Sequence, residues 1–239
     1  NSKRIYISPK ISDIIIRGGT DINLFDSPLL LCRNSGLSFE QRLFKRIFDI
    51  VVSVIGLIIL SPFMLIIAAA IKIDDGGSII YKQKRLTING KEFFVYKFRS
   101  MIPNAEKNGV PQLATGSDSR ITRVGKFLRK CRLDELPQLF NIIKGDMSVV
   151  GPRPERPELT EKYEREMPEF KFRLKVKAGL TGYAQVTGVY DTTPYDKLKM
   201  DLMYIERYSM VMDLRIILMT IKTMISPGEM NSEADKEKY

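Results

Sequence analysis

From Ile47 to Ile71 the chain reads IFDIVVSVIGLIILSPFMLIIAAAI, almost without a polar interruption. At a helical rise of ~1.5 Å per residue such a run is long enough to span a bilayer and too long for an ordinary buried core helix. Arg42, Lys45 and Arg46 precede it and Lys72 follows it. The tendency of cations to remain on the cytoplasmic side therefore acts on both ends. Ser61-Pro62 falls near the middle, where proline forfeits a backbone hydrogen bond and serine offers a local substitute. Two readings follow. One is a helix-break-helix over a membrane segment 46–72 that enters and returns, with Ser61 and Pro62 at the break; the other is an ordinary kinked transmembrane helix. Residues 72–239 carry most of the charge and no second comparable apolar run. A single crossing would put that half outside.

With 239 residues, 44% of them hydrophobic, the chain can bury one good core, or one domain plus an appendage. It opens on Asn1 without a basic region followed by a short apolar core and cleavage site, and so reads as a piece of a longer protein. Residues 1–40, with β-prone Ile5-Tyr-Ile7 and Ile14-Ile-Ile16 and turn signals such as Gly18-Gly19, read as the end of a preceding soluble domain and a linker. Residues 41–239 form the second unit. Histidine is absent, which excludes a histidine triad, base or metal ligand within this chain. Cys32 and Cys131 lack metal-type spacing and fit a reduced cytosolic setting. Catalysis would fall to carboxylates, Lys, Tyr or a metal. The net charge of +10 suits an anionic partner.

Asp134 and Glu135 stand side by side in LDELPQ, with Arg129 upstream and Gly151-Pro-Arg-Pro154 downstream. Pro137 is tolerated only in the first turn of a helix, so a helix over Leu136 to Lys144 should begin near Asp134. Both acids then sit at a positive helix end, which would keep Asp134 ionised and attract an anionic substrate. An ionised carboxylate beside a phosphate can be a nucleophile; an N-cap followed by a dipole-favoured glutamate is the plainer alternative. Upstream, IIYKQKRLTINGKEFFVYKFRS carries Asn89-Gly90, a strong hairpin signal. In its second strand Phe94, Tyr96 and Phe98 alternate with Val95, Lys97 and Arg99, so one face packs while Lys97 and Arg99 face a phosphate or solvent. Residues 102–123 read as a long loop or a broken set of short elements, and Val124 to Arg132 as a basic helix. Pro152 and Pro154 stiffen the loop around Arg153, which suits bidentate phosphate recognition. The glycines of KAGLTGYAQVTG, residues 177–188, permit close backbone approach to a ligand or make turns. Met210 to Ile225 has the pattern of an amphipathic helix for a core face or the membrane surface, and Leu136 to Ile143 shares the ambiguity.

Together these segments resemble the bacterial polyprenyl-phosphate sugar-phosphate transferases, the monotopic phosphoglycosyl transferases. The likeness runs from Lys45-Arg-Ile-Phe-Asp49 and Ser61-Pro62 through YKFRSM, LDELPQLFNIIKGDMS and VGPRP to KAGLTGYAQVTG, in family order over about residues 42–225. It implies an α+β, predominantly helical fold: a re-entrant membrane hairpin plus a cytosolic catalytic domain with a β-hairpin and interfacial amphipathic helices. The setting it implies is the bacterial inner membrane, with that domain facing the cytoplasm. The reaction it implies passes sugar-1-phosphate from a UDP-sugar to undecaprenyl phosphate, releases UMP and starts a capsular, exopolysaccharide or related surface glycan. In that family the aspartate matching Asp134 is the nucleophile, and the acid matching Glu135 assists Mg²⁺ binding or proton transfer. Lys97, Arg129 and Arg153 match its basic site positions. The partners implied are the UDP-sugar, undecaprenyl phosphate, the bilayer and a second copy in a homodimer, with no nucleic acid. Ala178 and Val189 depart from the common pattern, and residues 1–40 look like the end of the soluble domain of larger members. Three rival readings are distinguishable: a lipid-binding scaffold would consume no UDP-sugar, a direct glycosyltransferase would release UDP, and a nucleic-acid binder would show a salt-dependent gel shift.

Overall fold

The computed structural model describes residues 8–24, 27–31, 36–102, 118–188 and 192–225. Helix α1 (Ile11–Arg17) and an antiparallel hairpin of β1 (Thr20–Leu24) and β2 (Ser27–Leu31) come first. Ile14-Ile-Ile16 is therefore helical rather than a strand: Ile11 and Ile14, three residues apart, bury one helix face in the main core. That burial overrides β-propensity. The predicted strand at Ile5–Ile7, most of the loop 102–123, Cys32 and Val189 lie outside the described residues.

Ser38 starts α2 (Phe39–Asp75) with a reciprocal cap: its hydroxyl accepts from the Gln41 amide while Gln41 accepts from the Ser38 amide. The helix runs 37 residues to Gly76. Helical conformation continues through Pro62, so the predicted interruption is not a break in the backbone ladder. Pro62 cannot donate to the Ile58 carbonyl four residues back, and the Ser61 hydroxyl donates to that same carbonyl at 3.0 Å. Serine thus supplies the bond that proline removes. Only 6% of the helix's most apolar window, mean hydropathy 2.9, is buried, with Ile58 69% and Leu65 72% exposed. A soluble core helix is excluded by that exposure, and the protein is membrane-bound.

Both halves of α2 nevertheless touch the globular part. Before Ser61, Lys45 pairs with Asp213 at 2.6 Å, and Arg46 donates to the Ile142 and Ile143 carbonyls at 2.6 and 2.7 Å. Asp49 accepts from the Ser148 hydroxyl and the Val149 amide at 3.0 and 2.9 Å. After Pro62, Ile67 and Ile71 pack in a small cluster with Phe98 and Leu128.

Strands β3 (Ile80–Leu86) and β4 (Glu92–Phe98) pair antiparallel, as the Asn89-Gly90 signal predicts. Asn89 and Gly90 both have positive φ, 58° and 72°, the left-handed conformation that this residue pair favours. The strand faces differ from the sequence reading. Phe93 and Val95 are buried and Phe94 is 49% exposed, so in this half of the strand the packed face is the one that carries Lys97; Phe98, on the opposite face, is buried as expected, against α2. Helix α3 (Arg123–Lys130) is capped by Thr122 and followed by a 3₁₀ turn, Leu133–Glu135. Helix α4 then starts at Gln138, later than predicted, and ends at Lys144. Arg132, at φ 55°, makes the bend that separates the acid turn from α3, and Leu136 and Pro137, both in right-handed helical conformation, lead from that turn into α4.

Short β5 (Met147–Val150) runs parallel to β6 (Ala178–Thr181). Between them come α5 (Pro157–Glu166) and a 3₁₀ segment, Pro168–Lys175; after them come α6 (Tyr183–Thr187), α7 (Pro194–Glu206) and α8 (Met210–Ile225). Leu198, Leu202 and Tyr204 of α7, Ile142 of α4 and Ile216 of α8 are the centre of the core. Helix α1 packs on α7, which joins residues 11–17 to this core. Helix α8 has the core face that one of its readings expects, with Asp213 and Ile216 buried, while Val211 and Leu218 remain 70% and 67% exposed.

Candidate active site

The acid pair opens onto a cavity of about 680 Å³ whose walls include Lys97, Arg129, Asp134, Glu135 and Arg153. Of the predicted phosphate-binding residues, Arg99 is not in this lining. Its guanidinium pairs with Asp75 at the end of α2, so it ties β4 to the membrane helix. Lys97 and Arg99, two residues apart, would share a face of a continuing strand, but β4 ends at Phe98 and Arg99 lies past that end, where the chain meets α2.

Lys97 reaches Glu135 because Asn141 fixes β4 against α4. The fully buried Asn141 amide accepts from the Tyr96 N–H at 3.0 Å and donates to the Phe94 carbonyl at 2.8 Å. It thus completes the strand edge as a neighbouring strand would. Lys97 Nζ then lies 2.6 Å and Arg153 Nη2 3.0 Å from the same oxygen, Glu135 Oε1. Burial raises the Glu135 pKa, but the Arg153 and Lys97 charges and hydrogen bonds outweigh it and take the group down to about 2. Burial lowers the Lys97 pKa, and Glu135 opposes that shift.

Asp134 is treated differently. No ion pair or side-chain hydrogen bond engages its carboxylate among the described residues. Burial moves its pKa upward, with Lys97 pulling the other way and Glu135 adding to the rise. The sequence reading expects a helix end to keep the group ionised; the acids instead sit in a 3₁₀ turn ahead of α4, where Arg129 and a backbone hydrogen bond join Lys97 in opposing the rise that burial causes. A less acidic carboxylate is a stronger nucleophile when ionised.

The second glycine-marked segment serves the site indirectly. A Cβ on Gly179 would lie 2.1 Å from the Gly151 nitrogen, and one on Gly182 2.2 Å from the Gly151 oxygen. These glycines let β6 approach the backbone that carries Arg153. Sequence reasoning did not single out Arg132, Arg173, Lys197 or Asp201, all of which line the cavity. Arg132 carried a local signal, being adjacent to the acid turn; the other three come from distant elements.

A family model described as bacterial sugar transferase matches residues 40–227. The chain belongs to the bacterial sugar transferase family. Among curated members it is 42% identical over 185 residues to the UDP-N-acetylgalactosamine-undecaprenyl-phosphate N-acetylgalactosaminephosphotransferase of Aeromonas hydrophila, covering 76% of this chain and 44% of that one. It is 43% identical over 211 residues to the UDP-glucose:undecaprenyl-phosphate glucose-1-phosphate transferase of Klebsiella pneumoniae, 86% of this chain and 43% of that one. The exopolysaccharide production protein PSS of Rhizobium leguminosarum is 40% identical over 194 residues, 77% of this chain and 96% of its own length. The chain thus spans less than half the length of the first two family members and matches nearly all of the third.

Proposed function

We propose that this bacterial sugar transferase passes sugar-1-phosphate from a UDP-sugar to undecaprenyl phosphate, through a covalent intermediate on Asp134. An oxygen of Asp134 attacks the β-phosphorus of the donor. A phosphorus–oxygen bond to Asp134 forms, the bridging bond to the α-phosphate breaks, and UMP departs with the bridging oxygen. A phosphate oxygen of undecaprenyl phosphate then attacks the same phosphorus and returns Asp134 to a carboxylate. Lys97, Arg129 and Arg153 hold the phosphates and stabilise charge on the equatorial oxygens. Covalent storage lets a water-soluble donor and a lipid acceptor use one cavity in turn.

The observation that carries this reading is the division between neighbouring acids: two cations hold Glu135, whereas no side chain among the described residues holds Asp134. Both cations meet Oε1 of Glu135, which leaves Oε2 without an ion pair among the described residues. That oxygen fits a Mg²⁺ site, which needs only one or two carboxylates plus substrate phosphates. When bound, Mg²⁺ would neutralise phosphate charge.

For the membrane segment, the reading is a re-entrant hairpin in the bacterial inner membrane with both ends on the cytoplasmic face. Cationic flanks at both ends and contacts to one globular core on both sides of Ser61-Pro62 support it. Labelling of single cysteines placed at residues 42 and 72 from one side of a sealed vesicle tests the topology; reactivity from opposite sides would overturn it.

The chemistry is tested by UMP release from UDP-glucose, UDP-galactose and their N-acetylated forms in the presence of undecaprenyl phosphate. One of these donors yields UMP with the natural chain, and Asp134→Asn yields none from any. Release of UDP instead, or turnover retained by Asp134→Asn, contradicts the proposal.

A further inference from the structure

The loop that presents Arg153 contains two prolines, yet each of its four successive carbonyls accepts a hydrogen bond. The Gly179 amide donates to Pro152 O at 2.9 Å, and the Leu86 amide to Glu155 O at 3.0 Å. Between them, Arg173 Nη2 donates to Arg153 O at 2.9 Å and Arg85 Nη1 to Pro154 O at 3.2 Å. Backbone elements thus hold the loop's outer carbonyls, and guanidinium groups hold the inner two.

Arg173 is the deeper of these two arginines, only 6% exposed. It lies 2.7 Å from Asp201 of α7, itself 2% exposed, and 3.7 Å from Glu155. The two acids surround a cation whose directed bond goes to the Arg153 carbonyl. Burying a guanidinium is costly unless its charge is compensated, and here the compensation also fixes where its donor points.

Resting on the proposed function, we infer that Arg173 is a positioning residue: through the Arg153 carbonyl it holds the Arg153 side chain against Glu135 and the donor phosphates, and Asp201 holds Arg173. Its action passes through Arg153. Nη2 meets both Arg153 O and Asp201 while Nη1 faces Glu155, so lysine at 173 keeps the charge but loses the planar group that faces both acids at once and fixes where Nη2 points. A shift of ~1 Å in a group that positions substrate can cost about 100-fold in rate.

The test is a double-mutant cycle on UMP release in full-length protein. Arg173→Lys is expected to lower kcat on the order of 10–100-fold in the natural background, and by less than about twofold once Arg153 is alanine, because positions coupled through one partner are not additive. Equal losses in both backgrounds overturn the inference and make Arg173 an independent substrate contact or a purely structural cation. Should Arg173→Lys fail to fold, the near-isosteric Asp201→Asn takes its place in the same cycle with the same expectation. If the natural chain releases no UMP from any UDP-sugar, the proposed function fails. The cycle is then read on UDP affinity by calorimetry, where loss of coupling to Arg153 overturns this inference separately.

Discussion

At the seam between α2 and the globular part, the side chains of Lys45 and Asp213 keep 8% and 0% of their surface exposed. At the cavity, those of Lys97, Glu135 and Arg153 keep 20%, 13% and 47%. The seam is closed further: Asp213 also accepts from the Tyr204 hydroxyl at 2.7 Å, and neighbouring Arg46 caps the last carbonyls of α4. Both clusters join oppositely charged groups in partly dehydrated surroundings. They differ in whether a partner can be exchanged. A substrate phosphate can reach Arg153 without unfolding anything, whereas Asp213 can be reached only by separating α2 from α8. The seam therefore holds the fold together, and the cavity cluster keeps charge available for an incoming anion.

That contrast is broken most directly at Asp213. Asp213→Ala leaves Lys45 buried without its carboxylate and Tyr204 with only its longer bond, 3.2 Å, to the Val150 carbonyl, and should cost about 3–5 kcal/mol of stability. Denaturant or thermal unfolding in nanodiscs measures it. A loss below about 1 kcal/mol would place the seam in the same class as a solvated surface pair.

Glu135→Gln should separate the two clusters in the opposite sense. It removes the charge that organises Lys97 and Arg153, and UMP release should fall on the order of 100-fold, equivalent to about 2.7 kcal/mol. The melting transition should move little, because water in the cavity can solvate the released cations. Equal effects on rate and on stability would mean that the cavity pair is structural.

How much of this was legible in the sequence depends on how local the determinant is. The Asn89-Gly90 turn is encoded within a few residues and appears as read; the apolar run is helical as read but continues through Ser61-Pro62, and the Asp134-Glu135 pair faces one cavity but from a 3₁₀ turn ahead of α4. The face of β4 was read correctly at Phe98 and wrongly at Phe94, because Phe93 and Phe94 are chemically alike and contact with a distant core decides which is buried. Arg99 was grouped with Lys97 by strand alternation, yet it meets Asp75, an acid in a helix that sequence spacing cannot bring near. Arg173 and Asp201 were invisible as cavity residues for the same reason, being joined by folding across the 3₁₀ segment and α7. The continuation of α2 through Pro62 was half legible: Ser61 was read as the local substitute for the bond that proline forfeits, whereas the expected interruption of the helix is not seen.

A milder probe of the seam is Asp49→Ala, which strips the acceptor from the Ser148 hydroxyl and the Val149 amide. Leaving these buried donors unpaired should cost about 1–3 kcal/mol, less than the loss of a buried charge pair. Since β5 leads straight into the Arg153 loop, some reduction in UMP release should accompany it. A variant that is destabilised but fully active would separate the seam from the cavity altogether.

The smallest effect tests the cavity cluster by pH. Glu135 is held near a pKa of about 2, below its ordinary 4.5. In that interval the unfolded chain takes up a proton that the folded chain does not, so this group's stabilisation is present above pH 4.5 and fades as pH falls toward 2. Asp134 is shifted upward from 3.8 and works in reverse: its folded form retains a proton that the unfolded form has lost, so rising pH through its window costs stability. Glu135→Gln removes the first contribution and lessens the second, whose main cause, burial, stays. Between about pH 5 and pH 3 the variant should therefore lose less stability than the natural chain, by on the order of 1 kcal/mol after screening by cavity water. Parallel melting-temperature curves across that range would show that Lys97 and Arg153 hold Glu135 no more tightly in the folded chain than water does in the unfolded one, and the contrast between an exchangeable cluster and a sealed one would then lose its electrostatic basis.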